Sequence, residues 1–140
     1  MLSPTTPPPA PDATEPVSAD AVIDPVALGK LRELDPTGRS GIVLRVLRTY
    51  ESSLQKLMVQ FAQARAARDP AGLRHVAHTL RSSSASIGAL ALSARCAELE
   101  NLVREGHLDA LEPAGEALAA EARQVGTAVR AILADQGSAA

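Results

Sequence analysis

Val43, Leu47, Tyr50, Leu54, Leu57 and Phe61 recur with gaps of four and three. At about 100° per residue this spacing gathers them on one side of a helix from near Ser40 to about Ala67. Such a helix must have its apolar stripe covered by other elements, because packing supplies most of its stability. The rest of the chain offers matching stripes. Leu73, Val76, Ala77, Leu80 and Ile87 share a face with Ser84, and Leu92, Cys96, Leu99 and Val103 form a second. Leu111, Ala114, Leu118, Ala122, Val125, Val129 and Ile132 form a third, and Leu28, Leu31 and Leu34 a short one. Asp24-Pro25 and Asp69-Pro70 each read as an N-cap followed by proline at the first helical position. Pro36 with Gly38, Gly88 and Gly106 mark stops, and the last helix is expected from Asp109, with Pro113 near its first turn. The expected fold is all-α, an antiparallel four-helix bundle with a short N-terminal lid helix.

Composition agrees with that architecture. Apolar residues make up 46% of the 140, yet aromatics make up 1%, which suits helices packed through aliphatic ridges better than a β-sandwich. Tyr50, lying in a stripe, is expected to pack in the core with its hydroxyl reaching outward. Residues 1–23 are rich in proline and small polar side chains, and are expected to form a disordered tail or linker. The bundle is expected over 24–135 and a frayed tail over 136–140. A net charge of −2 gives no electrostatic case for nucleic acid. No apolar run approaches the ~20 residues of a membrane span, and no leader pattern opens the chain. Cys96 is the only cysteine, which excludes an internal disulfide and suits a reducing compartment. A cytoplasmic monomer is the expectation, since the apolar stripes can satisfy one another.

The helix expected after Asp69 carries the feature that points to chemistry. His78 falls roughly 150° from the centre of its apolar stripe, on the outward side. Arg81 at i+3 and Ser82 at i+4 neighbour it on the helix surface. Ser82, Ser83, Ser84 and Ser86 follow, although serine is a mediocre helix former whose hydroxyl competes for backbone hydrogen bonds. Small side chains there keep the surface beside His78 low. An exposed imidazole that presents an unprotonated ring nitrogen is able to act as a nucleophile.

The stretch His78-Thr-Leu80-Arg81-Ser82-Ser83-Ser84-Ala-Ser86-Ile87-Gly88-Ala89 resembles the signature of histidine-containing phosphotransfer (HPt) domains, His-x-Leu-Lys-Gly-Ser-Ser/Ala-x-x-hydrophobic-Gly-Ala. Arg81 replaces the usual lysine and keeps its charge, whereas Ser82 stands where the family has glycine. The likeness extends from about Asp24 through Leu133, including Leu31-Arg32-Glu33-Leu34 and Cys96-Ala-Glu98-Leu99-Glu100. It implies a phosphorelay shuttle without kinase machinery of its own. His78 would accept a phosphoryl group from the receiver domain of a hybrid sensor kinase and pass it to a response-regulator receiver domain. Arg81 would offset the phosphoryl charge, and Ser82, Ala85 and Ser86 would form the docking surface. No cofactor is implied for this chain, Mg²⁺ being expected on the partner receiver domain. The alternative is a non-catalytic interaction bundle that binds a signalling partner without phosphorylation.

Other chemistry finds no support. His75 lies about 60° from His78 around the helix and reads as a surface histidine rather than a second phosphosite. The pair lacks a carboxylate cluster to make a metal site, and the Glu-x-x-His pattern of carboxylate-bridged bundles is missing. His107 beside Gly106 reads as solvated, and no glycine-rich phosphate loop or Gly-x-Ser-x-Gly elbow occurs. Glu98 and Glu100 point to different faces of one helix, which argues against a cooperating acid–base pair. Arg65 and Arg68 read as part of a solvated basic surface.

Overall fold

The computed structural model of the chain describes residues 22–39 and 41–138, with side chains described as far as residue 135. A short helix α1 (Pro25–Glu33) precedes four longer ones: α2 (Ile42–Ala66), α3 (Pro70–Ser86), α4 (Leu90–Arg104) and α5 (Leu111–Ser138). A 3₁₀ turn at Leu108–Ala110 leads into α5, where an earlier α-helical start at Asp109 was expected. The connections 67–69 and 87–89 are too short for anything but chain reversal. α3 packs on α2 and α4, and α5 closes the ring against α4 and α2. The result is the expected four-helix bundle with α1 as its lid. Among the described residues no helix is long and apolar enough to cross a membrane.

The stripes read in the four long helices form the core; of the short one, Leu28 is buried, Leu31 partly buried and Leu34, beyond the end of α1, exposed. Leu47, Tyr50, Leu54, Leu57 and Phe61 of α2 are buried against Leu73, Val76, Ala77 and Leu80 of α3 and Leu92, Cys96 and Leu99 of α4. Leu111, Leu118, Ala122, Val125 and Val129 of α5 complete it. Val43, Val103 and Ile132 pack against this core at its partly buried edge.

Several boundaries differ from expectation for local reasons. Residues 1–21 of the expected tail lie outside the described residues, but Val22 and Ile23 are buried in the core. Their apolar side chains anchor the chain before Asp24, whose carboxylate accepts from the Val26 amide at 3.3 Å to cap α1. Ser40, the expected start of α2, also lies outside the described residues, and the helix begins at Ile42 behind Gly41 at φ 66°. Asp69 precedes Pro70 as expected, but its side chain makes no capping bond. The backbone of α5 remains helical to Ser138, past the expected end at 135.

Two buried polar groups are resolved internally. The Tyr50 hydroxyl does not reach outward as expected; it lies 2.9 Å from Ser84 Oγ inside the α2–α3 interface. Burial there pushes its ionisation up to about 12, and burial likewise pushes the Cys96 thiol up to about 12. Arg65 also departs from its expected role as a solvated cation. It donates to Glu112 at 2.7 Å and Glu116 at 3.0 Å, clamping α2 to α5. Its guanidinium holds the Glu116 carboxyl below the usual carboxylate range.

Gly88 ties the lid to the bundle. Its φ of 88° ends α3 in a left-handed residue, and its carbonyl accepts from the Asp24 amide at 2.8 Å. A Cβ at this position would lie 2.9 Å from Ala27 Cβ and 3.0 Å from the Asp24 carbonyl oxygen. Gly88→Ala should therefore lower stability by about 2–4 kcal/mol, from left-handed strain plus overlap with backbone, as read by urea unfolding. A second test uses the single tyrosine. Because the folded values for Tyr50 and Cys96 lie above the ordinary 10.0 and 9.0, the folded state favours their neutral forms. That contribution is complete below the ordinary values and is lost as pH rises towards 12. Absorbance at about 295 nm should show tyrosinate forming near pH 12 in the native protein, and near pH 10 in urea.

Candidate functional site

The register of α3 makes the site. Leu73, Val76, Ala77, Leu80 and Ser84 are buried, which forces His78, Arg81, Ser82, Ala85 and Ser86 outward. The His78 side chain is 73% exposed and Arg81 is 49% exposed. The structure thus brings every residue singled out for chemistry or docking onto one accessible face.

It also brings in a residue that the sequence reading passed over. Glu100 of α4 has a side chain only 10% exposed, and it divides its carboxylate between two residues of α3. Its Oε1 lies 2.7 Å from His78 Nδ1, and its Oε2 accepts from Arg81 Nη1 at 3.0 Å. A carboxylate can only accept, so Nδ1 carries a ring hydrogen, and in the neutral imidazole Nε2 is then the nitrogen with the free lone pair. The face of Glu100 was readable: it lies four residues after Cys96 and eight after Leu92, in the inward register of α4. An acidic residue at an inward position requires a partner on the facing helix. Weighing it only against Glu98 missed that partner.

The serines have separate duties. Ser84 is the buried partner of Tyr50. Ser83 Oγ donates to the Leu80 carbonyl at 3.2 Å, and Ser86 Oγ to the Ser82 carbonyl at 3.0 Å. Their side chains are thereby folded against their own helix, which keeps the outward surface low. From α4, Ser93 Oγ donates to the Arg81 carbonyl at 3.0 Å and ties α3 to the first turn of α4, two turns before Glu100. Val46, Thr49 and Ser53 of α2 face Ser83, Ser86 and Ile87 across a shallow, largely apolar groove that continues this surface.

An exposed imidazole with one nitrogen held by a carboxylate and the other free is equipped for nucleophilic attack. His75 is exposed on the same helix, and His107 lies 3.4 Å from Glu105, away from this cluster in the connection before α5. Cys96 is buried, with its thiol held neutral, and takes no part.

Comparison with known proteins agrees with this geometry. The crystal structure of histidine-containing phosphotransfer protein B (HptB) from Pseudomonas aeruginosa PAO1 superposes with a TM-score of 0.71. The match covers 81% of this chain and 96% of that one at 24% identity, which establishes likeness of fold. Among curated proteins none matches the chain. The sequence profile of the Hpt domain matches residues 45–128, spanning most of α2 through most of α5 and including His78, Arg81 and Glu100. The chain belongs to the Hpt domain family, whose members are histidine phosphotransfer shuttles of phosphorelays.

Proposed function

We propose that this protein accepts a phosphoryl group on His78 from an aspartyl phosphate of a hybrid-kinase receiver domain and passes it to a response-regulator receiver domain. The observation that carries this reading is the Glu100–His78 pair at 2.7 Å on an otherwise open surface. Nε2 attacks phosphorus as the acyl-phosphate P–O bond breaks. An N–P bond forms and the donor's aspartate leaves as a carboxylate. No proton moves at Nε2, because Nδ1 already carries the ring hydrogen. The product ring is positively charged, and Glu100 faces that charge, so the carboxylate favours the phosphorylated state as well as the reactive tautomer. Arg81, anchored by one nitrogen to Glu100, has further N–H groups to direct at the phosphoryl oxygens.

The partner supplies the rest. Mg²⁺ on the receiver domain would neutralise the transferring group, and Ser82, Ala85 and Ser86 with the α2–α3 groove would seat the receiver close to Nε2. Ser82 stands at the family's glycine position and adds a hydroxymethyl beside the histidine. This departure is the observation favouring the second reading, an interaction bundle that binds its partner without accepting phosphate.

Incubation with phosphorylated receiver domains should label the wild type with acid-labile, base-stable phosphate and leave His78→Gln unlabelled with its helix content intact. Equal labelling of both would overturn the assignment of His78, and no labelling across a panel of receivers would favour the interaction bundle. Glu100→Ala should slow labelling about tenfold or more, as removal of a group that positions and stabilises a reacting charge does. It should also cost about 1 kcal/mol or less of stability by urea unfolding, because half-exposed Arg81 turns to water once its carboxylate is gone. In Glu100→Ala, ¹⁵N NMR of the imidazole should report a mixture of tautomers where the wild type holds hydrogen on Nδ1.

A further inference from the structure

The phosphorylated ring needs partners for three phosphoryl oxygens, and the cation of the family motif is already committed in part. Arg81 donates to Glu100 at 3.0 Å, on the α4 side of His78. Nε2 lies across the ring from the nitrogen bound to Glu100. Helical side chains lean towards the N-terminus, so the His78 ring covers the turn before it. There Ala71, Arg74, His75 and His78 line an open surface concavity of about 250 Å³. Arg74 is one turn before His78 at i−4, and His75 is at i−3. Both are exposed, and among the described residues neither side chain is engaged in a hydrogen bond or ion pair. No carboxylate lines the concavity, so its charge is positive or neutral and suits a dianion.

We propose that Arg74 and His75, in the turn before His78, form a phosphoryl-binding cradle holding the oxygens of the group carried on Nε2. This rests on the phosphotransfer reading above and adds to it two residues outside the motif that begins at His78. Arg74 presents a planar fork of donors suited to two phosphoryl oxygens, and the His75 imidazole supplies an N–H for a third. Arg81 then works from the Glu100 side, and the phosphoryl group sits between two guanidinium groups one turn to either side of the histidine. The cradle receives the same dianion from any donor, because it belongs to the acceptor helix.

The test uses phosphoramidate as a small-molecule donor, so that receiver docking plays no part. Phosphorylation of the full chain is followed by ³¹P NMR. Arg74→Gln should react about three- to fivefold more slowly than wild type, the range set by an exposed charge-assisted contact. Arg74→Lys should recover most of that loss. Arg123→Gln, which removes the same charge from α5, should react at the wild-type rate. Circular dichroism confirms that each variant is folded. If Arg74→Gln matched wild type, or Arg123→Gln slowed the reaction equally, the cradle would be overturned while phosphorylation of His78 stood. A wild type that takes no phosphate from this donor or from any receiver would overturn the phosphotransfer reading, and the cradle with it.

Discussion

A carboxylate withdrawn from water is costly unless its charge and both oxygens are matched, and the α3–α4 interface is arranged around that requirement at Glu100. One oxygen meets the imidazole of His78 and the other the guanidinium of Arg81, at 2.7 and 3.0 Å. The two donors lie three residues apart on α3, so a single helical turn faces the carboxylate with both. Register between the helices is fixed as a consequence. Sliding α4 along α3 would carry Glu100 away from both donors and leave a largely buried carboxylate unpaired, whereas an apolar contact would tolerate the shift. The same arrangement decides which imidazole nitrogen is available for chemistry, so registry and reactivity have one cause.

Away from that interface the fold depends on plain aliphatic packing. With one phenylalanine and one tyrosine in the chain, the stripes of Leu, Val and Ala had to be long and regular to bury enough surface. Regularity is what made the fold legible. The apolar gaps of three and four in α2, α4 and α5, the Asp-Pro helix starts, and Gly88 and Gly106 as stops all follow from local geometry. His78 was legible for the same reason, because its position relative to the stripe of α3 forces it outward.

What escaped the sequence depended on pairs brought together by tertiary packing. Tyr50 and Ser84 are thirty-four positions apart, and nothing in either helix alone says that the two hydroxyls meet. Arg65 looked like a solvated cation until α5 placed Glu112 and Glu116 opposite it. Glu100 was misjudged by comparison within its own helix, where the relevant partner was on the next one. Val22 and Ile23 were grouped with the proline-rich segment by composition, whereas their burial follows from the lid, anchored where Gly88 accepts from Asp24.

The hydroxyls of Ser83 and Ser86 are already bonded to carbonyls of their own helix. Contact with another protein therefore strips neither of these two hydroxyl protons of its partner, whereas the exposed Ser82 hydroxyl, which bonds to no protein group among the described residues, exchanges its water for whatever the contact offers. Such a surface adds little to affinity and equally little to the barrier for separation. In a family whose members exchange phosphoryl groups with receiver domains, the useful quantity is residence time, which is governed chiefly by the dissociation rate. Two internally satisfied hydroxyls on the face beside the histidine add little to that time.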